Sequence, residues 1–276
     1  MKWDYHVHLE QGPYNKEWLR QFLEAARLAD VDEIGFSEHA YRFRQTEGIW
    51  PGNWNLKAEV DADHYVRLVQ EAKDNGYPVK LGVEVDFAPG KEKLLEDFIL
   101  QYPWDYVIGS VHFIEEWGFD RPDQEYLWNH RSVEKAYQEY FTLYTEAAKT
   151  KLFDIMAHPD VIKVFGYRPD GSLLDEYRRC AEILKQADLC FEISTAGLRK
   201  PVGELYPAPE FTRVLAETGV VAIINSDAHR PEDVGHSFDL AYAYARKYSI
   251  TQLARFAERE RSLIPITSEL AKILSD

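Results

Sequence analysis

Cysteine is almost missing from this 276-residue chain. Cys180 and Cys190 stand alone, neither in a C-x-x-C pair, so cysteine supplies no redox or metal motif; both read as reduced, buried core residues of a cytosolic protein. Basic charge is scarce too. The 32 Lys+Arg against 47 Asp+Glu leave a formal charge of −15. Nucleic-acid binding through a broad basic face needs clustered cations, and this balance argues against it. No run of about 18 apolar residues occurs, and the opening MKWDYHVHLE has no apolar signal region. The expectation is a cytoplasmic protein with no membrane or nucleic-acid partner. Linkers, repeats and low-complexity stretches are also missing. Hydrophobic content of 45% excludes disorder, and the chain reads as a single domain over residues 1–276.

Alternation is present instead. Seven short runs rich in β-branched and aromatic residues cover 3–8, 33–37, 79–86, 106–112, 153–157, 189–194 and 220–225. Between them lie segments with helical spacing at 16–29, 63–75, 91–100, 133–149, 173–187 and 209–218, and two more helices are expected at 231–248 and 250–260. Strand followed by helix, repeated seven times, predicts parallel strands with helices outside. Consecutive apolar residues, as in 220–224, predict strands covered on both faces. A seven-stranded barrel and a doubly wound sheet both fit this periodicity.

The polar residues carry more information. Of nine His, six fall at or just past the C-terminal end of an expected strand: His6, His8, His39, His112, His158 and His229. Glu38, Glu84 and Asp227 share that location. Strand C-termini form the functional rim of parallel α/β folds, because the βα loops converge there. In His6-Val7-His8, residues two apart point the same way, so both imidazoles can face one ion. Glu84 interrupts the apolar Val83-Glu84-Val85, where an ionised carboxylate needs a partner or a metal. Each signal has a plain alternative, a surface pair or a helix cap. Together they crowd one rim with more O and N donors than a single ion takes. Two or three divalent ions are expected, with Glu84 as a shared ligand; Zn, Fe, Mn and Co all suit mixed imidazole and carboxylate donors.

The ordered motifs H-x-H, E-H, V-E-V-D, S-V-H, A-H-P-D and S-D-A-H resemble the PHP (polymerase and histidinol phosphatase) superfamily. Stretches 109–120, 157–166 and 194–201 are similar to those of the monofunctional histidinol-phosphate phosphatases. The resemblance implies an α/β fold, a distorted (β/α)7 barrel with a metal site at the C-terminal rim of the strands. It implies that His6, His8, Glu84 and Asp227 hold one metal, that Glu84 bridges to a second completed by His112 and His158, and that His39 and His229 hold a third. The family offers a His or Asp about six residues past H-x-H; here that position is Tyr14, and Glu10 is the candidate substitute.

The implied activity is metal-dependent hydrolysis of a small phosphorylated metabolite with release of inorganic phosphate. Glu84, Asp227 and His229 are the expected catalytic residues, with no general acid singled out. Arg199, Lys163 and Arg42 are the candidate phosphate-binding cations, since guanidinium and ammonium both suit phosphate. Glu115, Glu116 and Trp117 suit the cationic or imidazole end of a substrate, and 50–54 reads as a lid or as loop packing. L-histidinol phosphate is the expected substrate. Another phosphate ester (metabolite, nucleotide or phosphotyrosine) is the alternative, and a metal-binding protein without turnover is a third reading. Oligomeric state is not legible.

Overall fold

Each of the seven expected runs contains a strand, in the computed structural model, which describes residues 1–51 and 59–266. They are β1 (Trp3–Asp4), β2 (Glu33–His39), β3 (Val79–Asp86), β4 (Tyr106–Ser110), β7 (Ile155–Met156), β8 (Cys190–Ser194) and β9 (Val221–Asn225). A short ribbon, β5 (Phe113–Ile114) with β6 (Trp117–Gly118), stands apart from the sheet. With two further strands, β10 (Gln252–Ala257) and β11 (Glu260–Pro265), the sheet runs β1-β2-β3-β4-β7-β8-β9-β10-β11, and every pairing from β1 to β10 is parallel.

The helices α1 (Lys16–Leu28), α2 (Ala62–Asp74), α3 (Glu92–Ile99), α4 (Val133–Thr150), α5 (Leu174–Ala187), α6 (Pro209–Thr218) and α7 (Phe238–Lys247) intervene. Their start signals are local. The Asn15 side chain caps α1 through the Trp18 amide, Asp61 caps α2, and Ser132 caps α4. Helix α1 then buries Leu19, Phe22 and Ala26, a single stripe at helical spacing. β3 is buried along nearly its whole length, and Gly82 leaves room for Tyr106: a Cβ there would meet the ring at 2.2 Å.

Two expectations change. Residues 250–260 are not a helix. They begin an antiparallel hairpin, β10 (Gln252–Ala257) and β11 (Glu260–Pro265), turned by Glu258 and Arg259, both at positive φ. Arginines fix it: Arg255 pairs with Glu33 at 2.7 Å, Arg259 with Asp154 at 2.9 Å and Arg261 with Asp188. These carboxylates start or precede β2, β7 and β8, so the hairpin sits at the strand N-termini, opposite the histidine rim. Leu253, Ala254 and Phe256 go into the core, and tertiary burial outweighs the helix propensity of an Ala-, Leu-, Arg- and Glu-rich segment.

The second change is at the first strand, which ends at Asp4. Beyond it, Val7 bridges to Ala228, with the His8 amide donating to Ala228 O (2.8 Å) and the Ala228 amide to His6 O (3.0 Å). The Ser37 amide donates to Val7 O at 2.8 Å. This short segment is therefore held between the ends of β2 and β9. In the 50–54 segment, Trp50 is buried and its indole donates to Asp86 O; residues 52–58 lie outside the described residues. No helix among the described residues is long and apolar enough to cross a membrane.

Candidate metal centre

The polar strand ends meet around Glu84. Its register partner across β2–β3 is His39, so the two side chains start level. Glu84 Oε2 lies 2.7 Å from His39 Nδ1, 3.3 Å from His6 Nε2 and 3.6 Å from His8 Nε2. The other oxygen, Oε1, lies 3.4 Å from His158 Nε2 and 3.8 Å from His112 Nε2. One carboxylate thus presents a different oxygen to each of two imidazole groups. Asp227 Oδ1 adds a second anion, 3.3 Å from His8 Nε2 and 3.6 Å from His6 Nε2. His229 lies 3.5 Å from Asp227 and, through Nε2, 3.5 Å from Glu10 Oε1. Three donor sets have atoms within 4.8 Å of one another: His6-His8-Asp227, His6-Glu84-His158 and His8-His39-His229.

Buried polar atoms ordinarily find hydrogen-bond partners. Here Nε2 of His6, both ring nitrogens of His8, Nδ1 of His39 and both oxygens of Glu84 are buried without one among the described residues, although they stand close together. Their geometry is convergent rather than paired, which is what ligands of an ion require; the set fits divalent metal. Electrostatics agree. Burial alone would strip charge from His6, but Glu192, Asp227 and Glu84 hold its pKa well above the ordinary imidazole value. Burial opposes charge on His8 too, and the neighbouring Asp227 and Glu38 carboxylates raise it to about 9. The imidazolium charges outweigh burial at Glu84 and Asp227 and hold both carboxyls well below their usual range. His229 goes the other way, pushed down to about 3 by burial and the neighbouring His8.

The PHP domain family model matches residues 4–196. This chain belongs to the PHP domain family. It is 34% identical over 235 residues to a protein of Deinococcus radiodurans named "Probable histidinol-phosphatase", covering 85% of this chain and 89% of that one. A protein of the same name from Schizosaccharomyces pombe is 24% identical, with 85% and 82% covered. The fold is similar to the solved structure of histidinol phosphate phosphatase from Lactococcus lactis, a complex with zinc, L-histidinol and phosphate. That comparison has a TM-score of 0.78 at 20% identity and covers 95% of this chain and 98% of that one.

Behind the first ring of donors, this PHP domain places further carboxylates. His6 Nδ1 donates to Glu192 Oε1 at 2.8 Å, which leaves Nε2 turned to Glu84 and Asp227. Glu192 also accepts from Asn225 Nδ2 (2.8 Å) and from the His158 amide (2.9 Å). His112 Nδ1 donates to Asp86 at 2.9 Å. Glu38 faces His8 and accepts from the Tyr14 hydroxyl at 2.6 Å, so Tyr14 acts one layer behind the histidines. Such partners fix tautomer and ring orientation. Glu192 was not singled out from sequence, although Phe191-Glu192-Ile193 carries the same signal as Val83-Glu84-Val85: a charge inside a buried strand.

Asp227 sits at φ 52°, in the left-handed region. Surrounding contacts hold that strained backbone. Arg199 Nη2 donates to the carbonyls of Ser226 (2.8 Å) and Asp227 (3.0 Å), its Nε pairs with Asp233, and the Ser226 amide donates to Asp4. Arg199 is thus placed behind the Asp227 loop.

A cavity of about 430 Å³ opens over the cluster. His39, His112, His158, Asp227, His229 and Glu10 form its floor, with Asp120, Arg121, Lys200, Tyr41 and Tyr206 around it. Neither Arg199 nor Lys163 lines it. Lys163 is buried against Asp160 (3.1 Å) and Leu205 O (2.9 Å). Arg42 pairs with Glu10 at 3.3 Å at its edge. The cations that do line it are Lys200, inside the motif stretch 194–201, and Arg121, just past 109–120; neither is among the sequence candidates. From the loop after β4, Asp120 reaches the cavity, whereas Glu115, Glu116 and Trp117 border a separate hollow. A larger cavity of about 810 Å³, between Trp50, Phe87 and Leu143, holds none of the histidines.

Proposed function

We propose that this chain is a metal-dependent phosphomonoesterase that hydrolyses L-histidinol phosphate to L-histidinol and inorganic phosphate, a cytoplasmic step of histidine biosynthesis. The family, and the names of relatives matched over most of both chains, support the reaction class and substrate. The observation that carries the chemistry is Glu84, whose two oxygens face two separate imidazole groups, as a carboxylate shared by two ions would.

In this reading His6, His8, Asp227 and Glu84 hold one ion, and Glu84, His112 and His158 a second. His39 and His229 hold a third, with Glu10 in the place that Tyr14 cedes. Ions bound there would acidify water and offset charge on phosphoryl oxygens. The chain's own groups do the rest. Glu192, Asp86 and Glu38 orient imidazoles. Lys200 and Arg121 draw the phosphate into the cavity, with Arg42 at its edge steadying Glu10. Asp120, which lines the cavity beside the histidines, receives the cationic end of the substrate. Arg199 acts through the carbonyls of Ser226 and Asp227, and Lys163 through the 204–206 loop, rather than by touching phosphate.

We read the sheet as a distorted (β/α)7 barrel and the whole chain as one catalytic domain. The Val7–Ala228 bridge, which brings the segment after β1 beside the end of β9, supports this. The test is phosphate release from histidinol phosphate against a panel of phosphomonoesters, with and without chelator. Chelator-sensitive turnover with kcat/KM highest for histidinol phosphate is expected. Comparable values across the panel would overturn the biosynthetic assignment in favour of a broader phosphatase, and no turnover at all would overturn the enzyme reading.

A further inference from the structure

One polar atom in the wall of the cavity has no use within the protein. The Tyr206 hydroxyl is buried, finds no hydrogen-bond partner among the described residues, and belongs to a side chain that lines the cavity beside His158 and Asp227. The residue is 1% exposed. A buried donor left unmade carries the full desolvation penalty of its group, so such a group in a ligand cavity calls for a partner from the ligand.

The ring is held so that the hydroxyl cannot turn elsewhere. The Tyr206 backbone forms an antiparallel bridge with Ser194, at the end of β8, through hydrogen bonds of 2.8 and 3.1 Å. Gly197 presses on the ring: a Cβ there would lie 3.0 and 3.1 Å from Cε2 and Cζ. The Lys163 ammonium stands 5.3 Å from the ring centroid, itself fixed by Asp160 and Leu205 O, and the His158 ring meets Tyr206 edge-on at 6.3 Å. A phenol hydroxyl is a donor as well as an acceptor.

We infer that Tyr206 is a further catalytic residue, whose hydroxyl donates a hydrogen bond to a non-bridging phosphoryl oxygen of the bound phosphate ester. This rests on the phosphomonoesterase reading. The chemistry favours a phosphoryl oxygen because it is the strongest acceptor a phosphate ester brings into a cavity lined by Lys200 and Arg121. It also gives Lys163 a part in the site, as the clamp on the ring rather than as a phosphate ligand.

The experiment is Tyr206→Phe, which removes one oxygen and keeps the ring. Measurements are kcat/KM on an alkyl and an aryl phosphate, inhibition by inorganic phosphate, metal content and thermal midpoint. A charge-assisted hydrogen bond predicts a loss of about 10- to 100-fold in kcat/KM on both esters and weaker phosphate inhibition, with metal content and midpoint unchanged. Unchanged kinetics and phosphate inhibition overturn the inference. A loss confined to the alkyl ester also overturns it, by moving the contact to the leaving oxygen. Loss of bound metal overturns it by making the role structural. Wild-type protein that releases no phosphate from any ester sinks the phosphatase reading instead.

Discussion

Removing the Glu84 carboxylate should dismantle two metal sites with one substitution. Its Oε2 faces His39, His6 and His8 at 2.7–3.6 Å, and Oε1 faces His158 and His112 at 3.4 and 3.8 Å. In Glu84→Ala both imidazole groups lose their common anion, and the rings that remain repel any cation once protonated. The measurements are metal content after dialysis, phosphate-release rate, and thermal midpoint with and without chelator. An ion present at about a thousand times its Kd adds about 4 kcal/mol to the stability of the form that binds it. The two ions that share Glu84 add about 8 kcal/mol, and at about 2 °C per kcal/mol for a chain of this size their removal by chelator should lower the wild-type midpoint by about 15 °C, beyond the share of the third ion. The same treatment should move the Glu84→Ala midpoint by no more than the share of the one ion at His39 and His229, about 8 °C. Turnover should fall by at least about 10⁴-fold, equivalent to about 5.5 kcal/mol of transition-state stabilisation. Glu84→Gln, with one acceptor oxygen and no charge, should keep one ion of the pair and little activity. Glu84→Ala protein that retained both ions with normal turnover would refute the bridging assignment.

Three more outcomes follow from the same geometry. Glu192→Gln keeps the shape of the side chain but not the anion behind His6. Metal affinity, read by competition with a chelator, should fall about 10- to 100-fold, with the unfolding midpoint of stripped protein little changed; unaltered affinity would deny Glu192 its orienting part. Arg199→Met frees the carbonyls of Ser226 and Asp227, so kcat should drop while KM stays near wild type. A large rise in KM with kcat preserved would mark Arg199 as a direct phosphate contact instead. His8, raised to about 9 in the metal-free fold against about 6.5 unfolded, stabilises stripped protein below pH 6.5 and loses that contribution as pH rises through 9. Metal needs the unprotonated ring, so metal affinity should climb over the same interval, with proton release visible by titration calorimetry in buffers of different ionisation enthalpy. Affinity independent of pH between 6 and 9 would contradict that coupling.

What could be read in advance, and what could not, divides along a physical line. A buried parallel strand is legible because its apolar residues run without a break, and the polar residue that ends it is legible by contrast. Glu84, His112, His158 and Asp227 stood out in this way, and they are the residues the strand ends bring together. Glu192 carries the same contrast, two residues from its strand end as Glu84 is from its own, but no His or Asp-His motif follows it; its value lies in facing His6 across the sheet, a relation between β8 and the segment after β1 that no local window contains. Direction of long side chains is harder still. Arg199 and Lys163 sit in the segments where phosphate-binding cations were sought, yet the turn at 194–206 aims Arg199 at the Asp227 loop and Lys163 at the Tyr206 ring, leaving Lys200 and Arg121 to face the cavity. The C-terminal hairpin departs from its local sequence for a related reason. Its Leu, Ala, Arg and Glu favour a helix in isolation, and its turn at Glu258 and Arg259 has no Gly or Asn to announce it. What makes it a strand pair is three arginines reaching Glu33, Asp154 and Asp188, each more than 70 residues away in the chain. Residue types at strand ends thus report where chemistry gathers, while the choice among neighbouring cations and carboxylates is made by contacts between distant segments.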